Sequence, residues 1–192
     1  LRLVFLKSGQ KNFGFMLFAV LLINALGGAL GGIYNIFFLS HSLLNFSYTE
    51  TLFINQVCVL LAIIISSLTG NDYFGKQSLP RLMLWATLGL SLVGLSNLFN
   101  QVVLGLLFLF LTLYVSGKVS PKISAMLMKN LAPEVLARTS NFLGLLFTLS
   151  IPVGTACFSL VAVWNMQLTW MLFVSLSLLA ILLTGLNLKN DI

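Results

Sequence analysis

The stretch SSLTGNDYFGKQSLPR, residues 66–81, places one carboxylate, Asp72, and two bases, Lys76 and Arg81, in a short gap between long apolar runs. A carboxylate and bases set around a tight turn can latch one face of a helical bundle and release it when helices rock. Gly70 and Gly75 allow the backbone angles such a turn needs, and Pro80 suits the first turn of a following helix. A second charged pair, Glu134 and Arg138, lies in LAPEVLAR. The other chemically useful set is uncharged. Asn24, Gly28, Gly31 and Asn35 recur on one helical face, with Gly27 and Tyr34 beside it. The glycines suit close helix packing, while the amides and Tyr34 are costlier in lipid and are candidates for lining a cavity. Asn55, Gln101, Thr112 and Thr148 join them as candidates, each on a small-polar face of its own segment.

Other chemistries lack their residues. His41 is the single histidine, and Cys58 and Cys157 each sit alone in an apolar stretch. No metal-ligand spacing results, and the cysteines suit packing better than a disulfide framework. Paired carboxylates and a Ser–His pair at membrane depth are missing, so no catalytic residues, no cofactor and no enzymatic activity are expected. No basic run interleaves with aromatics, so nucleic acid is not an expected partner.

The elements that carry these residues follow from composition. Of the 192 residues, 59% are hydrophobic and 7% charged, against about 25% charged in a soluble domain. Most of this surface must face lipid, which makes the bilayer the first partner. A bilayer core takes about 20 apolar residues as helix. Six stretches qualify, at roughly 13–39, 51–69, 82–97, 102–116, 141–163 and 168–186. The third and fourth are expected to extend toward Pro80 and Pro121. Continuous apolar runs favour helices over barrel strands, which alternate. The expected fold is therefore all-α: a cytoplasmic lead-in at 1–12, a six-helix transmembrane bundle at 13–187 and a tail at 188–192.

All ten Lys and Arg fall in alternate gaps or at the two ends. The opposite gaps, SHSLLNFSYTE, LFNQ and WNMQ, hold none. The excess of bases on the cytoplasmic side then puts both termini in the cytoplasm, at the cell membrane. Spans one, two, four and five carry polar faces and are expected to look inward. Spans three and six are expected to look toward lipid, with Trp85 and Trp170 in an interfacial belt. Pro152 should kink the fifth span. No Asp, Glu, Lys or Arg sits at mid-span, so this segment offers no evident proton or ion carrier.

The charged turn resembles the signature of the major facilitator superfamily, Gly-x-x-x-Asp-Arg-x-Gly-Arg-Lys between its second and third helices. Asp72, Gly75 and Lys76 match, whereas Leu68, Tyr73 and Gln77 replace a glycine, an arginine and the last base. Pro133, Glu134 and Arg138 fit the Pro-Glu-x-x-x-Arg stretch entering the family's fifth helix, and Gly144, Pro152 and Gly154 echo its glycine- and proline-bearing helix. The resemblance covers essentially the whole chain as one six-helix half of a twelve-helix transporter, nearest to bacterial macrolide-type drug-efflux permeases. It implies alternating-access efflux of a small molecule by proton antiport, in a bacterial cytoplasmic membrane, with a missing N-terminal six-helix half as partner. It also implies that helices one and four line the substrate path. The start at Leu rather than Met, the partial motif and the lack of membrane acids fit a C-terminal half of a longer protein.

Two other functions compete. A permease subunit of an ATP-driven transporter would carry a Glu-Ala-Ala loop with a glycine at fixed distance, and PEVLARTSNFLG has the Glu without the rest. A truncated, non-transporting membrane protein has no feature against it.

Overall fold

The structure is a computed structural model that describes residues 13–130 and 133–188. The lead-in at 1–12 and the tail from 189 onward lie outside the described residues. The chain forms seven helices there: α1 (Phe13–Phe37), α2 (Tyr48–Leu68), α3 (Leu79–Leu98), α4 (Val102–Ser116), α5 (Val119–Asn130), α6 (Pro133–Trp164) and α7 (Met166–Leu188). No strand occurs among the described residues. Six segments are long and apolar enough to cross a bilayer: 17–37, 48–68, 79–98, 102–126, 136–164 and 166–186. The protein is an all-α, multi-pass membrane protein. The third span begins beside Pro80, and the fourth continues through α5 past Pro121, as the sequence led us to expect.

Local chemistry sets the ends. Ser47 starts α2 with a reciprocal cap: its hydroxyl accepts from the Glu50 amide at 3.4 Å, and its own amide donates to the Glu50 carboxylate at 2.8 Å. Pro80 stands in the first turn of α3, where a missing amide proton costs nothing. Asn100, at φ 58°, turns the chain from α3 into α4 in three residues.

The helices pack in the order α6, α1, α7, α3, α4, α2, with α5 closing one end against α3, α4 and α6. The connections at that end, 69–78 and 117–118, carry Lys76 and Lys118, so it is called the basic end here. The other connections, 38–47, 99–101 and 165, hold no Lys or Arg. α1 and α6 touch through glycines. A Cβ on Gly28 would lie 2.7 Å from the Ile151 carbonyl oxygen, and one on Gly154 would run into the Ala25 carbonyl. The Thr155 hydroxyl donates to the Gly28 carbonyl at 2.8 Å across this crossing.

Two sequence expectations are corrected. The third span is the most enclosed of the six, and the fifth the least. The cause is small residues on α3. Gly89 lies against Thr112, Gly94 lies against Phe173, and the Ser91 hydroxyl donates to Ser177 at 2.8 Å, so α4 and α7 close on both sides. Trp170 does not sit in an interfacial belt either; it is 1% exposed. Its indole meets Tyr34 and Phe37 edge-on, with ring centroids 5.8 and 5.4 Å away. These rings, with Phe38, Phe158 and Phe173, form the apolar core toward the base-free end. A smaller core near the basic end joins Ala19, Val20, Met83, Ile123 and Leu143. Trp85 is exposed. α6 runs as one helix through Pro152, which has no amide to donate to the Thr148 carbonyl one turn back.

Candidate functional site

Between the two apolar cores lies a groove walled by α1, α4–α5 and α6. It comprises two adjoining cavities, of about 180 and about 290 Å³, that share Ile23, Asn24 and Ser116. The first reaches toward the basic end, where Ser120, Ser124 and Ser140 add hydroxyls. The second runs toward the base-free end along Leu30, Leu90, Leu113 and Ile151. The groove exists because α1 leans on α6 through Gly28 and Gly154 while α4 leans on α3 through Gly89. The two pairs meet through α7 on one side and stay apart on the other. Thr112 lines the second cavity, but its hydroxyl donates to the Phe108 carbonyl at 2.6 Å. Asn24 and Ser116 are therefore the polar groups that face both cavities.

The second site is a charged cluster at the basic end. Lys118, the residue after the α4 cap, is only 6% exposed. Its ammonium lies 3.0 Å from an Asp72 carboxylate oxygen. It also donates to the carbonyls of Ser66, at 3.3 Å, and Thr69, which end α2 without intrahelical partners. The same ammonium stands 4.7 Å from the centre of the Tyr114 ring. Asp72 accepts from the Gly75 amide at 2.7 Å and from the Tyr114 hydroxyl. Gly75 is needed for this closeness, because a Cβ there would strike the Gly70 carbonyl. Partial burial pushes the Asp72 carboxyl up, but Tyr114, the Gly75 amide and Lys118 together outweigh it and hold the group down at about 2. The carboxylate thus stays ionised at any physiological pH. The cluster can tie α2, the 69–78 turn and α4 together.

The comparisons with known proteins come out empty. No family model, no curated protein and no solved structure matches the chain. What the residues do must be argued from the two sites themselves.

The structure brings together some of the residues singled out from sequence and separates others. Asn24 and Thr112 line the groove. Tyr34 does not line either cavity: it is buried in the aromatic core, and its hydroxyl accepts from the Asn97 amide at 2.9 Å. Rings stacked around it satisfy the apolar body, and Asn97 satisfies the polar tip, which explains the burial. Asn55 is buried on α2, its amide oxygen without a partner among the described residues. Gln101 is exposed in the turn before α4; Asn35 and Thr148 are exposed on α1 and α6. None of these four lines either cavity. Of the turn residues, Asp72 and Gly75 sit in the cluster, but the base that pairs with Asp72 is Lys118. Lys76 is exposed, and the Arg81 guanidinium reaches the Gln77 side chain at 3.5 Å. Glu134 lies in the first turn of α6 with its side chain outside the described ones, and Arg138 is exposed on the same helix. Sequence reasoning placed Ser116 on the polar face of the fourth span, but did not single out Tyr114, Lys118, Ser120, Ser124 or Ser140 as site residues. A signal for the serines existed: Thr112, Ser116, Ser120 and Ser124 recur every fourth residue.

Proposed function

We propose that the chain is one six-helix bundle of a secondary transporter, moving a small molecule through the α1–α4–α6 groove. The observation that supports this reading is the placement of Asn24 and Ser116 between two cavities, with an apolar core toward each end of the bundle. A polar site at mid-depth of a helical bundle is where alternating access places its substrate. On this reading the groove faces a second six-helix bundle, and the two rock about the shared site. The Asp72–Lys118 cluster holds the basic end, which lies in the cytoplasm with both termini, and the membrane is a bacterial cytoplasmic membrane. Efflux by proton antiport is the favoured mode. The described groove residues include no proton carrier, so the partner bundle supplies it.

The test is genetic. Deleting the coding sequence in the cell of origin should raise accumulation of, or sensitivity to, at least one compound in a broad panel of small molecules. The intact gene should restore tolerance, and Asn24→Leu, made at equal expression, should not. A deletion that changes accumulation of nothing in the panel sinks the transport reading.

A further inference from the structure

Among the described residues that line the two cavities, none is ionisable. None of Lys118, Lys122 and Arg138 lines either cavity, and Arg138 is exposed on α6. Lys118 is held by Asp72 and the end of α2, and the Lys122 ammonium donates to the Gln77 carbonyl at 2.5 Å. Polar lining is graded along the groove. Ser120, Ser124 and Ser140 lie toward the basic end, Asn24 and Ser116 are shared, and the second cavity adds aliphatic side chains, glycines and Thr112, whose hydroxyl is spent on the Phe108 carbonyl. Serine hydroxyls and a carboxamide both donate and accept, so they match a hydroxyl, carbonyl or amide. A charged group placed there would lose its water without gaining a counter-ion from the described residues of this chain.

We infer that the groove takes an uncharged amphiphile, its hydrogen-bonding head among the serines and its apolar part toward Leu30 and Ile151. This deepens the transport reading and rests on the groove being the substrate path. The chemistry fits a free small molecule or an uncharged lipid, and the experiment separates them.

With Cys58→Ala and Cys157→Ala as background, Ser120→Cys reports occupancy through its rate of reaction with N-ethylmaleimide. Ser116→Cys serves as an independent second reporter, and exposed Ser42→Cys as the reference. The purified full chain is held in phosphatidylcholine nanodiscs. Three amphiphiles with the same alkyl tail are the probes: 1-decanol, decyltrimethylammonium and decyl sulfate. Decanol is expected to slow labelling at both groove positions and not at Ser42→Cys. It should do so at about a tenfold lower concentration than either charged probe, given the cost of carrying a charge into the membrane interior. Doping the nanodiscs with diacylglycerol gives the lipid arm. Protection by decanol alone assigns a free amphiphile, and protection by diacylglycerol as well assigns a lipid; both uphold the uncharged class. Equal protection by a charged probe overturns that class. Absence of protection by decanol at both positions overturns the site. None of these readouts needs transport, so a failed accumulation assay with protection intact removes only the transport reading.

Discussion

Lys118 shows how a single cation earns a place inside a membrane protein. Its stem is buried, and its head replaces water with one carboxylate, two helix-end carbonyls and the face of Tyr114. Lys118→Met should lower stability by about 2 kcal/mol, short of the loss for a fully buried pair because Asp72 keeps some contact with solvent. Thermal unfolding in detergent measures this, and adding Asp72→Asn to Lys118→Met should cost less than the two single changes summed. The pH dependence follows from the carboxyl. Its value falls from 3.8 to about 2 on folding, so its stabilisation is fully present above 3.8 and is lost as pH falls toward 2. The melting temperature of the wild type should therefore exceed that of Asp72→Asn by a constant margin at neutral pH, and the margin should shrink below pH 3.8. A margin that widened on acidification would contradict the assignment. The sequence exposed Asp72 and Gly75 because a charged turn between apolar runs stands out. It could not say which base pairs with Asp72, because that depends on where α4 ends relative to α2.

At the scale of helices, GGALGG was legible as a packing segment, but not in its division of labour. Gly28 and Gly32 press on α6, whereas Gly27 and Gly31 have open space where a side chain would be. Periodicity puts Gly28 and Gly31 on one face and cannot tell which of them meets a neighbour. The two should respond to alanine with opposite signs. Gly28→Ala is expected to destabilise by about 1–3 kcal/mol, since the clash is with the Ile151 backbone. Gly31→Ala should be neutral or stabilise by up to about 1 kcal/mol through helix propensity. Melting temperatures of the two purified variants decide it; loss in both would mean that α1 is packed on a wider face. Trp170 was misplaced for a related reason. Its position near a helix end suits lipid headgroups, and only the approach of α1 reveals Tyr34 and Phe37 waiting for it.

For the whole molecule, the six spans were legible because continuous apolar length is nearly sufficient to define a membrane helix. The order of packing was not legible, since small residues serve helix contact and cavity lining alike. Orientation can be checked directly. In intact cells, with the native cysteines replaced, Asn45→Cys and Asn165→Cys should react with an impermeant maleimide added outside. Lys76→Cys and Ser78→Cys should react only after permeabilisation. A single bundle also has nothing to rock against, so purified monomeric chain in liposomes should show no flux of any compound the cell assay identifies. Two connections carry a consequence for how the protein is made. Asn165 alone separates α6 from α7, and residues 99–101 alone separate α3 from α4. A synthesising ribosome delivers one span before the next, yet links this short cannot let the first cross and settle while the second is still unmade. Each first span must wait at the insertion machinery for its mate, and the two enter the bilayer together as a hairpin. A charge introduced into α7 would then betray itself as a failure of α6 to insert.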